Sequence, residues 1–139
     1  MPSLVHHRLR KHADFQRVYK AGRKQFARQM AWFVALRDEA AAAHCPTPGP
    51  RIGLTVPKAL GKAVARNRIK RRLREAVRRA LPLLSLPVDL VLHPRASVLD
   101  ADFSALEAEV AAIFRSVEAS GGHPPASTSR KPAGKPVTR

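Results

Sequence analysis

A single cysteine, Cys45, occurs in the 139 residues. That excludes an internal disulfide and suits a reducing compartment; the expected role of the thiol is incidental. No run of 18 apolar residues is present, so no membrane-spanning helix and no membrane partner is expected. The first residues lack the apolar core of a secretory signal, and the expected location is cytoplasmic. Chemistry-bearing patterns are also missing. The six histidines, His6, His7, His12, His44, His93 and His123, form no HExxH or Cys/His spacing that would hold zinc. No Walker loop and no GxGxxG occurs. Neither a catalytic side chain nor a protein-bound metal or cofactor is therefore expected. Acids are few: ten Asp and Glu stand against 26 Lys and Arg, a net charge of +16 with an isoelectric point near 11.6. Such an excess of one sign points to a polyanionic partner.

The bases are concentrated in residues 62–79, KAVARNRIKRRLREAVRR, which hold nine Lys and Arg and one acid, Glu75. Ile69, Leu73, Ala76, Val77 and Ala80 fall within about 100° of arc at helical spacing, one face of an amphipathic helix. Arg66, Lys70, Arg74 and Arg78 form a ridge beside that stripe, and Arg68, Arg72 and Arg79 cover the far side. A solvated charged face normally mixes signs. Here like charges stand four apart and repel, a cost that a bound polyanion removes. A membrane-surface helix would need a broader apolar face with aromatics.

Around this helix the chain reads as a small α/β domain. Residues 1–7 form a flexible basic arm, 8–118 an RNA-binding domain, and 119–139, rich in Pro, Ser, Gly and Lys, a disordered tail. A short helix is expected over 11–20, ended by Gly22, the residue usual past a helix C-terminus. One or two strands follow over 23–37, then a loop over 38–50. A strand is expected over 51–56, the basic helix over 61–81, a buried strand over 88–92 and a second long helix over 100–117. That last helix has Phe103, Leu106, Val110, Ile113, Phe114 and Val117 on one side. Five of the ten acids lie in 100–118, so it is expected to turn away from the nucleic acid.

Phe15 and Tyr19 share a face of the first helix. They serve either as core residues or as a platform on which unpaired bases stack. The step His93-Pro94-Arg95 leaves the buried strand, where a structural or phosphate-contacting role is expected.

The segments LRKHADFQRVYKAG (9–22) and RIGLTVPKALGKAVARNRIKRRLREAVR (51–78) resemble the protein component of bacterial ribonuclease P, with ARNRIKRRLRE matching that family's signature. The resemblance covers roughly residues 8–117. It implies one small α/β domain in the order αβββαβα, with a four-stranded sheet and a left-handed βαβ crossover. General rules favour the right-handed form, so that hand rests on the resemblance alone. It also implies a subunit that assists a catalytic RNA in removing the 5′ leader of precursor tRNA, with magnesium held by the RNA and no obligate protein partner. By position, Arg66, Asn67, Arg68, Lys70, Arg71 and Arg74 would contact the RNA subunit, and Phe15, Tyr19 and Lys58 the leader. Two departures stand out: Ala59, where members often carry a second lysine, and His93-Pro94-Arg95, where many have an Ala-Arg step.

Other classes fit less well. A structural RNA-binding protein of the ribosomal kind would share the charge and the tail but needs no aromatic pair. A stand-alone nuclease would need a carboxylate cluster or a histidine pair. A helix-turn-helix protein would place a helix, not a strand, before the turn LGKA.

Overall fold

Helical spacing of apolar residues produces three helices, and alternation produces four strands, in this computed structural model, which describes residues 7–37 and 49–122. In chain order they are α1 (His12–Ala21), β1 (Gln25–Phe26), β2 (Met30–Leu36), β3 (Arg51–Leu54), α2 (Ala63–Ala80), β4 (Val88–Pro94) and α3 (Phe103–Ala119). One mixed sheet has the strand order β1-β2-β4-β3. β4 runs antiparallel to β2 and parallel to β3, so β3–α2–β4 is a crossover unit that puts the basic helix over the sheet. Residues 8 and 9 lie along the outer edge of β3, where the Leu9 amide donates to the Ile52 carbonyl at 3.0 Å.

The period of two divides each strand between two cores. Met30, Trp32 and Val34 of β2, Ile52 of β3 and Val88, Leu90 and Leu92 of β4 face the long helices. All five apolar residues expected on α2 are buried there, as are Leu106, Val110, Ile113, Phe114 and Val117 of α3. Phe103 is half-buried, with the Arg79 guanidinium 5.2 Å from its ring centroid. On the opposite face Leu9, Val18, Ala35 and Val91 are buried, with Phe15, Tyr19 and Phe33 packed against them. α1 therefore covers one face of the sheet, and α2 and α3 the other.

Several boundaries differ from the expectations. α2 starts at Ala63, because Gly61 has φ +136, which no helical residue adopts. β4 runs on to Pro94, which puts His93 inside the sheet opposite Ala31. α3 begins at Phe103, with Asp100 left in the turn that precedes it. Gly22 does follow α1, but its φ of −97 is an ordinary one. What requires glycine there is space: a β-carbon would lie 2.6 Å from the Val34 carbonyl oxygen.

At the other end, Gly121 (φ +72) and Gly122 (φ +92) close α3, the Gly122 amide donating to the Val117 carbonyl at 3.1 Å. Gly122 is buried, and a β-carbon on it would lie 2.9 Å from both Leu36 and Val88. Residues 119–122, expected in the tail, thus belong to the folded domain; the rest of the expected tail, the arm residues 1–6 and the loop residues 38–48 with Cys45 lie outside the described residues. Among the described residues no helix is long and apolar enough to cross a membrane.

Candidate nucleic-acid interface

The cations of α2 divide into two sets once the helix is packed. On the side facing α3 they are held by the protein itself. Arg72 donates to the Ala101 carbonyl. Glu75 accepts from both Arg78 and Arg79, and these guanidiniums hold its carboxyl down to about 2. Arg79 also stands 3.7 Å from Glu107. Arg68 is exposed on this side, with Nε 3.5 Å from the Leu99 carbonyl. Of the cations expected on the far side, Arg79 is thus paired with acids, Arg72 is held by a carbonyl and Arg68 stays exposed, while Arg78 leaves the expected ridge for Glu75.

The other set faces the N-terminal segment. A cavity of about 340 Å³ opens between residues 7–10, β3 and α2, with Arg8, Arg10, Lys70 and Arg74 around an apolar floor that includes Phe15 and Leu54. No acid within ion-pair distance of these four cations occurs among the described residues. Burial, with Arg74 and Arg10 beside it, pulls the Arg8 guanidinium below its ordinary value. Like charges left unpaired around an apolar floor suit an anionic ligand with a flat apolar part. Of the residues matched to the signature, Lys70 and Arg74 line this cavity. Arg66 binds back to the Gly61 carbonyl at 3.1 Å, and Asn67 and Arg71 are exposed. Lys58 is exposed in the turn Lys58–Leu60, past the end of β3 and away from the cavity lining.

From Phe15 a row of half-exposed rings crosses the α1 face of the sheet. Phe15 and Tyr19 have centroids 6.5 Å apart, and Tyr19 meets Phe33 edge-on at 5.0 Å. His93 lies 5.5 Å from Tyr19 and 5.2 Å from Phe33. Gly53 makes room for this row, since a β-carbon there would lie 2.6 Å from the Phe15 ring. The two readings of Phe15 and Tyr19 are therefore not exclusive: each ring packs on one side and keeps open surface on the other. Phe33 was missed from sequence because it alternates with buried Trp32 in an ordinary strand pattern. His93 joins the row only through the register, which sets Phe33 opposite Val91 and Ala31 opposite His93.

Asp89 sits on this same face of β4, fully buried, and was also missed. It accepts from Arg37 at 2.7 Å, from Arg51 at 2.9 Å through both oxygens, and from Arg17 of α1. Burial acts to raise its carboxyl, but the hydrogen bonds from Arg51 and Arg37 outweigh burial and hold it below the ordinary range. Arg51 also reaches Asp14 at 3.4 Å. This network fixes α1, and with it Phe15 and Tyr19, over the sheet. α3, with its acids, lies on the opposite face of the sheet, packed beside the basic helix α2.

Comparison with known proteins gives one answer. The family model Ribonuclease P matches residues 5–118. A ribonuclease P protein component from Gluconacetobacter diazotrophicus is 41% identical over 112 residues, covering 78% of this chain and 89% of its own. One from Chloroflexus aggregans is 40% identical over 111 residues, covering 78% and 75%. Among solved structures, the Staphylococcus aureus RNase P protein superposes with a TM-score of 0.65 at 28% identity, covering 81% of this chain and 95% of its own. The Thermotoga maritima RNase P protein gives 0.66 at 24% identity, covering 80% and 97%, a likeness of fold.

Proposed function

This chain belongs to the ribonuclease P protein component family, and on that premise we propose that it binds the catalytic RNA of a cytoplasmic ribonuclease P and the 5′ leader of precursor tRNA together. The observation that carries this reading is the continuity of the cations Arg8, Arg10, Lys70 and Arg74, which meet no acid among the described residues, with the half-exposed rings of Phe15, Tyr19, Phe33 and His93. Cations release counterions from an RNA backbone and give affinity without reading sequence. Aromatic faces accept unpaired bases of any identity, which suits a leader that differs from one tRNA to the next.

In this reading Arg66, Asn67, Arg68, Lys70, Arg71 and Arg74 meet the RNA subunit, and Phe15, Tyr19 and Lys58 meet the leader. The protein side chains bind and orient. Cleavage belongs to the RNA, with magnesium bound there. By neutralising phosphates where two RNAs approach, the protein lowers the magnesium that assembly requires.

The test is reconstitution with a bacterial ribonuclease P RNA at low magnesium, using precursor and mature tRNA. Cleavage that needs the protein, with tighter binding of the leader-bearing substrate, supports the reading. Equal affinity for both substrates removes the leader role and leaves a structural RNA-binding protein.

A further inference from the structure

His93 is more than one ring of the aromatic row, because its polar contacts are specific. Its Nε2 shares a hydrogen bond of 2.9 Å with the Tyr19 hydroxyl, which lies 3.1 Å from Thr55 Oγ1. The imidazole is half-exposed and completes a triangle with the Tyr19 and Phe33 rings. A tyrosine hydroxyl has one proton to give. In the neutral tautomer with its proton on Nδ1, Nε2 accepts, so Tyr19 donates to it and is left to accept from Thr55. The imidazolium carries a proton on both nitrogens, so Nε2 then donates to the Tyr19 oxygen, and the hydroxyl proton must turn toward Thr55 or into the cleft. Protonating that tautomer thus reverses a hydrogen bond and sets a positive charge among the rings.

Resting on the leader-binding reading, we infer that His93 is a positioning and specificity residue of the cleft: its protonation directs the Tyr19 hydroxyl and places a cation beside the leader's phosphates. The titratable neighbours that face it are Tyr19 on α1 and Lys24 ahead of β1; β2 presents Phe33 and the end of β3 presents Thr55. Asp89, on the same face of β4, is occupied by Arg17, Arg37 and Arg51. Burial, then Lys24, holds the imidazole below its ordinary value, so the neutral form prevails at neutral pH. A bound phosphate favours the imidazolium, and by linkage a lower pH favours leader binding.

The experiment uses the reconstituted holoenzyme with wild-type protein and His93→Gln. Binding of leader-bearing and leaderless tRNA is measured between pH 8 and pH 5.5. In the wild type the ratio of the two affinities should rise about fivefold toward acid pH, the scale of one partly exposed ion pair. In H93Q, which keeps hydrogen-bonding atoms but does not titrate, the ratio should stay flat. Changes common to all histidines or to the RNA cancel in the comparison of the two proteins. If H93Q does not fold, the His93 ring resonance of the wild type decides: its titration midpoint should move upward when a leader oligonucleotide is added. The same pH profile in both proteins, or an unmoved midpoint, overturns the inference while leader discrimination stands. Absence of discrimination at every pH overturns the leader reading, and this inference with it.

Discussion

Replacing Asp89 with Asn should unfold this protein at far lower temperature, although the side chain keeps its size. The wild-type carboxylate is fully buried and meets Arg37, whose side chain is 1% exposed, Arg51, which is 12% exposed, and Arg17. Asn offers one acceptor oxygen and no charge, so the three guanidiniums lose the buried carboxylate they share, and for Arg37 that loss falls where water cannot replace it. Breaking a buried pair by removing one partner costs about 3–5 kcal/mol. For a domain of this size each kcal/mol is worth about 4–8 °C, so the melting temperature should fall by on the order of 15 °C or more. The loss should persist at high salt, because buried pairs are poorly screened. The pH dependence has a definite sign. The folded carboxyl lies below its ordinary value. Its contribution is complete above the unfolded pKa of about 3.9 and is lost as pH falls through the lower folded value. Wild type and D89N should therefore differ widely at neutral pH and converge in strong acid. Thermal melts followed by circular dichroism at both pH values make the measurement. A D89N midpoint within about 2 °C of wild type at neutral pH would refute the claim that a desolvated network holds α1 on the sheet.

Lys70→Ala with Arg74→Ala should flatten the salt dependence of RNA binding by about one unit of log–log slope per lost phosphate contact, while Arg72→Ala should change the slope less. Filter binding across a salt series checks this. Leu73→Ala and Phe114→Ala should each destabilise by about 2–5 kcal/mol in denaturant titrations, since both side chains are buried. Phe15→Ala should weaken binding of precursor tRNA, but not of mature tRNA, by about 1–3 kcal/mol in the assembled complex. A chain ending at Gly122 should melt like the full chain, whereas one ending at Ser120 should melt earlier, having lost the turn over Leu36 and Val88.

What the sequence made legible was what depends on local periodicity. The α2 stripe Ile69, Leu73, Ala76, Val77 and Ala80 could be read residue by residue, because a helix imposes 100° per residue whatever it packs against. The buried strand was legible from its apolar run. Asp89 was not, since an acid within VDLVL has no meaning until strand register and a helix bring Arg17, Arg37 and Arg51 around it. Gly22 was read correctly as a helix end for a reason that does not operate; its need for space comes from β2, which the local pattern does not contain.

The same distinction applies to the charged face of α2. Sequence spacing treats Arg66, Lys70, Arg74 and Arg78 as equivalent ridge positions. Packing does not, because one flank of the helix meets α3 and the 99–101 turn while the other meets residues 7–10. A guanidinium already held by Glu75 has spent part of its hydrogen-bonding capacity, and drawing it to a phosphate means breaking that pair. A cation with no acid beside it among the described residues, such as Lys70 or Arg74, loses only bulk hydration and its counterion. The free energy of RNA binding should therefore concentrate on the flank shared with Phe15, although both flanks carry the same residue types. The charge of a helix, counted from sequence, measures its attraction at a distance; which arginines should hold an RNA in contact depends on which of them have no acid beside them among the described residues.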